Sequence, residues 1–139
     1  MKSRGAERDI QGGITFLYVS DLSRSADFYG VRLGLELVLD QGACRIYRLC
    51  GGSYLGICRG DSGGKRTAPG GEGVIITLVV ADVDRWYSEL SGAGVEIEAE
   101  PEENERFEIS HFFLRDPDGY LVEIQRFWDP TWSEPLEQG

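Results

Sequence analysis

The feature that most constrains this chain is that its sequence is written twice. "VSDLSR" at 19–24 is answered by "VADVDR" at 80–85, so Asp21 and Asp82 are equivalent. "GLEL" at 34–37 is answered by "GVEI" at 94–97, and "GSYLGI" at 52–57 by "GYLVEI" at 119–124 with one gap. A repeat of this kind is a supersecondary unit that buries its apolar face against a second copy of itself. Each half reads strand, helix, strand, strand, strand.

Periodicity gives the elements of the first half. Ile14–Ser20 is an apolar strand. Leu22–Leu33 is a helix, capped by Asp21 or Ser23 and ended near Gly34, with Leu22, Ala26, Tyr29 and Leu33 as its buried stripe. Leu35–Asp40, Arg45–Cys50 and Ser53–Cys58 are strands. In the second half the strand Val74–Val80 leads to a helix Val83–Ala93, with Val83, Tyr87 and Leu90 inward. The strands Val95–Ala99, Phe107–Arg115 and Tyr120–Arg126 follow. "PEENER" at 101–106 reads as a solvated acidic hairpin loop. The organisation is therefore a loose N-terminus 1–12, one domain 13–127 and a polar tail 128–139 in which Trp128 and Trp132 are the docking candidates. Within the domain, module one is 13–58, a linker is 59–73 and module two is 74–127.

The linker "RGDSGGKRTAPGGEG" contains Gly-Gly-Lys, but a phosphate loop needs a glycine where Arg59 stands, so the composition reads as a flexible connector. The chain has 139 residues and 41% apolar content, enough for one domain with a core. Its formal net charge of −10 would repel nucleic-acid phosphates and attract a cationic small molecule. No apolar run has the length of a membrane span, and the N-terminus lacks the apolar segment of a signal peptide, so a cytoplasmic location is expected. Cys44, Cys50 and Cys58 are odd in number and lack metal-ligand spacing; they are read as free thiols in a reducing compartment.

"DPDGYLVEI" at 116–124 poses the functional question. Asp116 and Asp118 can bond the turn backbone, Pro117 presets the bend and Gly119 takes a positive φ at little cost. Glu123 then sits in a strand among Leu121, Val122 and Ile124. A buried carboxylate is costly without a cation, a metal or a polar partner. Arg48 and Arg115 are the candidate structural partners. Left unpaired in an apolar cleft, Glu123 would have a raised pKa and serve as a general base, the only catalytic candidate in the chain.

The paired modules, the "V-x-D" strand end before a helix containing "FY" and the "DPDG" turn before the last strand resemble the vicinal oxygen chelate superfamily. That group includes glyoxalase I, extradiol dioxygenases and bleomycin-resistance-type binding proteins. "YVSDLSRSADFYGVRLGLEL" and "LRDPDGYLVEI" carry the resemblance, which spans about residues 13–127. It implies an α+β fold of two tandem βαβββ modules forming a curved mixed sheet around a cleft, commonly in a homodimer. In metal-using members the ligands lie on the first and last strands of the modules. The positions here are Ile14, Gly56, Ile75 and Glu123, of which only Glu123 has a donor side chain. A catalytic metal normally needs about three protein ligands. His111, the single histidine, would bring the set to two. No metal or other cofactor is therefore expected; if a divalent ion bound, Glu123 and His111 would hold it.

Strand alternation then populates the cleft. With position 14 facing it, Phe16, Tyr18 and Ser20 follow, as do Thr77, Tyr54 and Glu123; His111, Phe113 and Arg115 share one face of their strand. The ligand-binding candidates are Phe16, Tyr18, Tyr54, Thr77, His111, Phe113, Arg115 and Glu123. An apolar, aromatic lining with few polar groups suits a small organic molecule. The expected function is metal-free binding of an apolar or aromatic, neutral or cationic, ligand. The alternatives are a metal-dependent lyase or dioxygenase using Glu123, and a metal-free enzyme with Glu123 as base. No nucleic acid or membrane partner is expected, and no lactoylglutathione lyase activity, because the ligand set for that chemistry is missing.

Overall fold

The computed structural model describes residues 8–60 and 73–132. Their order is β1 (Gly13–Val19), α1 (Leu22–Ala26), a π-helical segment (Asp27–Arg32), β2 (Glu36–Asp40), β3 (Cys44–Cys50) and β4 (Ser53–Arg59). Then come β5 (Ile75–Val79), α2 (Val83–Gly92), β6 (Glu102–Asn104), β7 (Ile109–Arg115), β8 (Leu121–Phe127) and a short 3₁₀ turn (Pro130–Trp132). Two four-stranded sheets result, ordered β1-β4-β3-β2 and β5-β8-β7-β6. In each, the first strand lies parallel to the last and the other pairs are antiparallel. This is the expected α+β arrangement of two βαβββ modules, and the sheets are not closed into a barrel.

Strand alternation sorts each sheet into two faces. Leu17, Val19, Leu55 and Ile57 of module one point to the same core as Ile76, Leu78, Phe112, Leu114, Val122 and Ile124 of module two. Both helices close over it through Phe28, Tyr29, Val83 and Leu90. The modules are also tied by polar contacts. The Tyr29 hydroxyl donates to Asp116 Oδ2 at 2.7 Å, and the Tyr120 hydroxyl to the Tyr18 carbonyl at 3.0 Å. Arg32 Nη1 reaches the Ala93 carbonyl at 2.9 Å. The DPDG turn is thus a joint between modules as well as a bend. Asp116 Oδ1 accepts from the Asp118 and Tyr120 amides, and Asp118 accepts from the Ser20 amide and hydroxyl. Gly119 has φ +89°, as the turn requires.

Several expectations need correction. The first helix is not a single α-helix over 22–33. Asp21 caps it by accepting from the Arg24 amide, but beyond Ala26 the winding widens and the Leu33 amide bonds to the Phe28 carbonyl. The wider turn lets the adjacent Phe28 and Tyr29 both enter the core, their rings edge-to-face at 5.0 Å. Gly30 faces the Tyr47 ring, where a Cβ would come within 3.2 Å of Cε1.

Val95–Ala99 is not a regular strand either. Val95 is buried and Ile97 packs against the core and forms an isolated bridge with Leu114, but that single bridge does not extend into a ladder. The edge strand is instead Glu102–Asn104, inside the stretch expected to be loop. The turn falls at 105–108, with Glu108 at φ +54° and the Asn104 side chain accepting from the Phe107 amide, so β7 begins at Ile109. Trp128 docks by donating Nε1–H to Ser110 Oγ at 3.0 Å.

The cysteines were expected as free thiols; Cys44 and Cys58 are joined in a disulfide, and only Cys50 is free. The two half-cystines are directly opposed on β3 and β4, with Cα atoms 4.1 Å apart. Sequence spacing of 14 residues does not reveal that a hairpin folds them onto one rung. Most of the linker, residues 61–72, and the segments 1–7 and 133–139 lie outside the described residues.

Candidate functional site

The face of each sheet turned away from the core carries the candidate site. Ladder register makes the two modules directly comparable. In module one, Ile14 pairs with Tyr54 and Phe16 with Gly56. In module two, Ile75 pairs with Leu121 and Thr77 with Glu123. Gly56 and Glu123 are therefore equivalent positions, two residues along from the Ile14 and Ile75 pairs and on the same face.

The module-one position is filled by an aromatic ring. The Phe16 ring covers Gly56 so closely that a Cβ there would overlap its Cδ1 and Cε1. A glycine in a strand interior costs order and leaves a gap, and a ring from the neighbouring strand closes it. Phe16 nonetheless remains 45% exposed, as does Ile14, and Ile75 is 54% exposed. Tyr18 and Tyr54 are half-buried on the same face. Arg48 stacks 5.3 Å from the Tyr54 ring and donates to its hydroxyl at 3.2 Å. Between β1 and β5, a groove of about 410 Å³ is lined by Ile14, Tyr54, Ile75 and Thr77 among others.

The module-two position is a polar cluster. The Thr77 hydroxyl donates to Glu123 Oε1 at 2.8 Å, and His111 Nδ1 lies 2.8 Å from Oε2. The Gln125 amide, with its nitrogen turned toward Glu123, donates to the two oxygens at 3.0 and 3.2 Å; the opposite orientation would set oxygen against oxygen. Glu123 and His111 side chains are only 12% and 14% exposed. The His111 ring meets Phe113 edge-on at 5.1 Å.

Neither arginine considered as a partner reaches Glu123. Arg48 pairs with Glu36 and the Gly51 carbonyl, and Arg115 pairs with Glu98 at 2.7 Å and the Gly119 carbonyl. The candidates thus divide into an aromatic patch with Phe16, Tyr18 and Tyr54, and a polar cluster with Thr77, Glu123, His111 and Phe113. Arg115 is engaged at the rim. Sequence reasoning sought a charged partner for the acid and missed Gln125; alternation placed Thr77 on its face and left the side faced by His111 open.

The donor set does not fit a catalytic metal. Among the described residues, no three His, Cys, Asp or Glu side chains converge. Ile14, Gly56 and Ile75 offer no lone pair, and both Glu123 oxygens are already engaged by protein donors.

The sequence pattern of the Glyoxalase/Bleomycin resistance protein/Dioxygenase superfamily matches residues 13–124. The chain belongs to that superfamily. Among curated proteins it is 29% identical over 123 residues to YraH of Bacillus subtilis (strain 168), described as uncharacterized, covering 79% of this chain and 93% of YraH. Solved structures of the superfamily share its fold. A member from Nocardioides superposes with a TM-score of 0.72 at 18% identity, covering 94% of this chain and 88% of that one. Lactoylglutathione lyase from Agrobacterium tumefaciens gives 0.68 at 23% identity, covering 81% and 90%. At these identities the likeness is one of fold, and the superfamily site positions are read from this chain's own residues.

Proposed function

We propose that this superfamily member is a metal-free binding protein for a small apolar or aromatic organic molecule, neutral or cationic. The observation that carries the reading is the replacement of metal donors by hydrocarbon: Ile14, Ile75 and the Phe16 ring over Gly56 occupy three of the four ligand positions. The same residues make an exposed apolar face beside a groove, the usual composition of a small-molecule site. The net charge of −10 favours a cation over an anion. The enclosure of Glu123 by three donors supports an orienting role for it over a role as general base.

A homodimer belongs to this reading, because an apolar face this exposed is stabilised when a second copy covers its margin. A cytoplasmic location belongs to it as well. Among the described residues no helix is long and apolar enough to cross a membrane; the Cys44–Cys58 disulfide is the observation that weighs against a reducing compartment.

Thermal-shift titration with naphthylmethylamine and with naphthalenesulfonate tests the binding proposal. The amine should raise Tm and the sulfonate should do so far less. Failure of both to move Tm, or a preference for the anion, would contradict it.

A further inference from the structure

We infer that the recognition group of module two is Nε2 of His111, held as a hydrogen-bond acceptor by Glu123, and that it selects ligands whose apolar ring carries a hydroxyl or N–H donor. This deepens the binding reading above and rests on it. An ionised carboxylate can only accept, so the 2.8 Å contact to His111 requires the proton to be on Nδ1. In the neutral ring the other nitrogen then carries a lone pair. Among the described residues Nε2 makes no hydrogen bond, and it is not among the buried polar atoms left without a partner. The His111 side chain is 14% exposed, and Nε2 carries an acceptor orbital that no donor among the described residues fills.

Three contacts fix the geometry. Thr77 and Gln125 hold Glu123 from the neighbouring strand and from its own, and the Phe113 ring packs on the edge of the imidazole. The ladder sets His111 opposite Gln125 and Phe113 opposite Glu123, so the pair bonds diagonally across one sheet face. Strand-borne groups held on two sides are positioned before a ligand arrives, which lowers the ordering cost of binding. The ring-bearing surroundings favour an aromatic ligand body, and the single exposed acceptor favours one donor on it. Glu123 acts through His111 and is a positioning residue.

His111 is the only histidine in the chain, so its ring resonances need no assignment. Long-range proton–nitrogen correlation NMR at about pH 8.5, above the usual imidazole range, should show Nδ1 protonated and Nε2 bare. Glu123→Ala should abolish that bias and give a mixed tautomer population. Titration with β-naphthol should shift the Nε2 resonance, and β-naphthol should bind about tenfold tighter than its methyl ether. His111→Phe should remove that difference, bringing naphthol and ether to equal affinity. A protonated Nε2 in the wild type, or equal affinity for naphthol and ether, would overturn the inference while leaving an apolar cleft intact. If neither probe perturbs any residue of the face, both the inference and the binding proposal fall.

Discussion

Thr77 and Glu123 stand in module two where Phe16 and Gly56 stand in module one, rung for rung. One module turned the position into a hydrocarbon plug, the other into a hydrogen-bonded acid. Neither arrangement leaves a carboxylate oxygen free toward the open face, and this difference within one chain underlies the functional reading.

The plug makes a packing prediction. Gly56→Ala should destabilise the protein by about 1–3 kcal/mol, because the new methyl must displace the Phe16 ring. Phe16→Ala removes the obstacle, so the double variant should be more stable than the two separate losses imply. Chemical denaturation of the four proteins measures the coupling, and strict additivity would mean the ring does not sit on Gly56.

Burial raises the Asp116 pKa above 3.8, and the Tyr29 hydrogen bond opposes that rise. Ionised Asp116 therefore costs stability in the folded state, and that cost is relieved as pH falls through the raised value toward 3.8. Tyr29→Phe removes the bond that favours the ionised form. It should cost about 1–3 kcal/mol near neutral pH and progressively less in acid. Denaturation of wild type and variant across that range checks the sign; a penalty that grows on acidification would refute it.

The disulfide predicts a thiol count. Alkylation under denaturing, non-reducing conditions should label Cys50 alone, and all three cysteines after reduction. Closing a hairpin loop of this size constrains the unfolded chain by about 3 kcal/mol, so reduction should lower Tm. Labelling in freshly lysed cells, with thiols trapped at once, reports the compartment: two protected cysteines would contradict a reducing cytoplasm.

Covering of the open face predicts a dimer by sedimentation, with Phe16→Asp and Ile75→Asp each shifting it toward monomer. A monomer at all concentrations would remove the second copy from the account.

Much of the fold was legible because the repeat doubled each signal. Asp21 and Asp82 cap equivalent helices, and alternation in Ile14–Ser20 assigned Leu17 and Val19 to the core and Phe16 to the open face. What escaped were choices made by tertiary packing. The wide turn at Phe28–Tyr29 answers the need to bury two adjacent rings, and Glu102–Asn104 becomes the edge strand because β7 offers it a register. The disulfide depends on which residues a hairpin opposes. At the site, alternation put Thr77 beside Glu123 but left the face of His111 open, and the search for a cation followed charge, whereas the ladder delivered Thr77, His111 and Gln125.

Metal retention tests the central claim most directly. Purified protein would be incubated with excess nickel, zinc or ferrous salt, desalted and analysed for metal, with the glutathione–methylglyoxal reaction assayed alongside. The account predicts far less than one ion per chain, an unchanged Tm and no turnover. One tightly held ion per chain that is lost in Glu123→Ala, or turnover that appears with added metal, would contradict it.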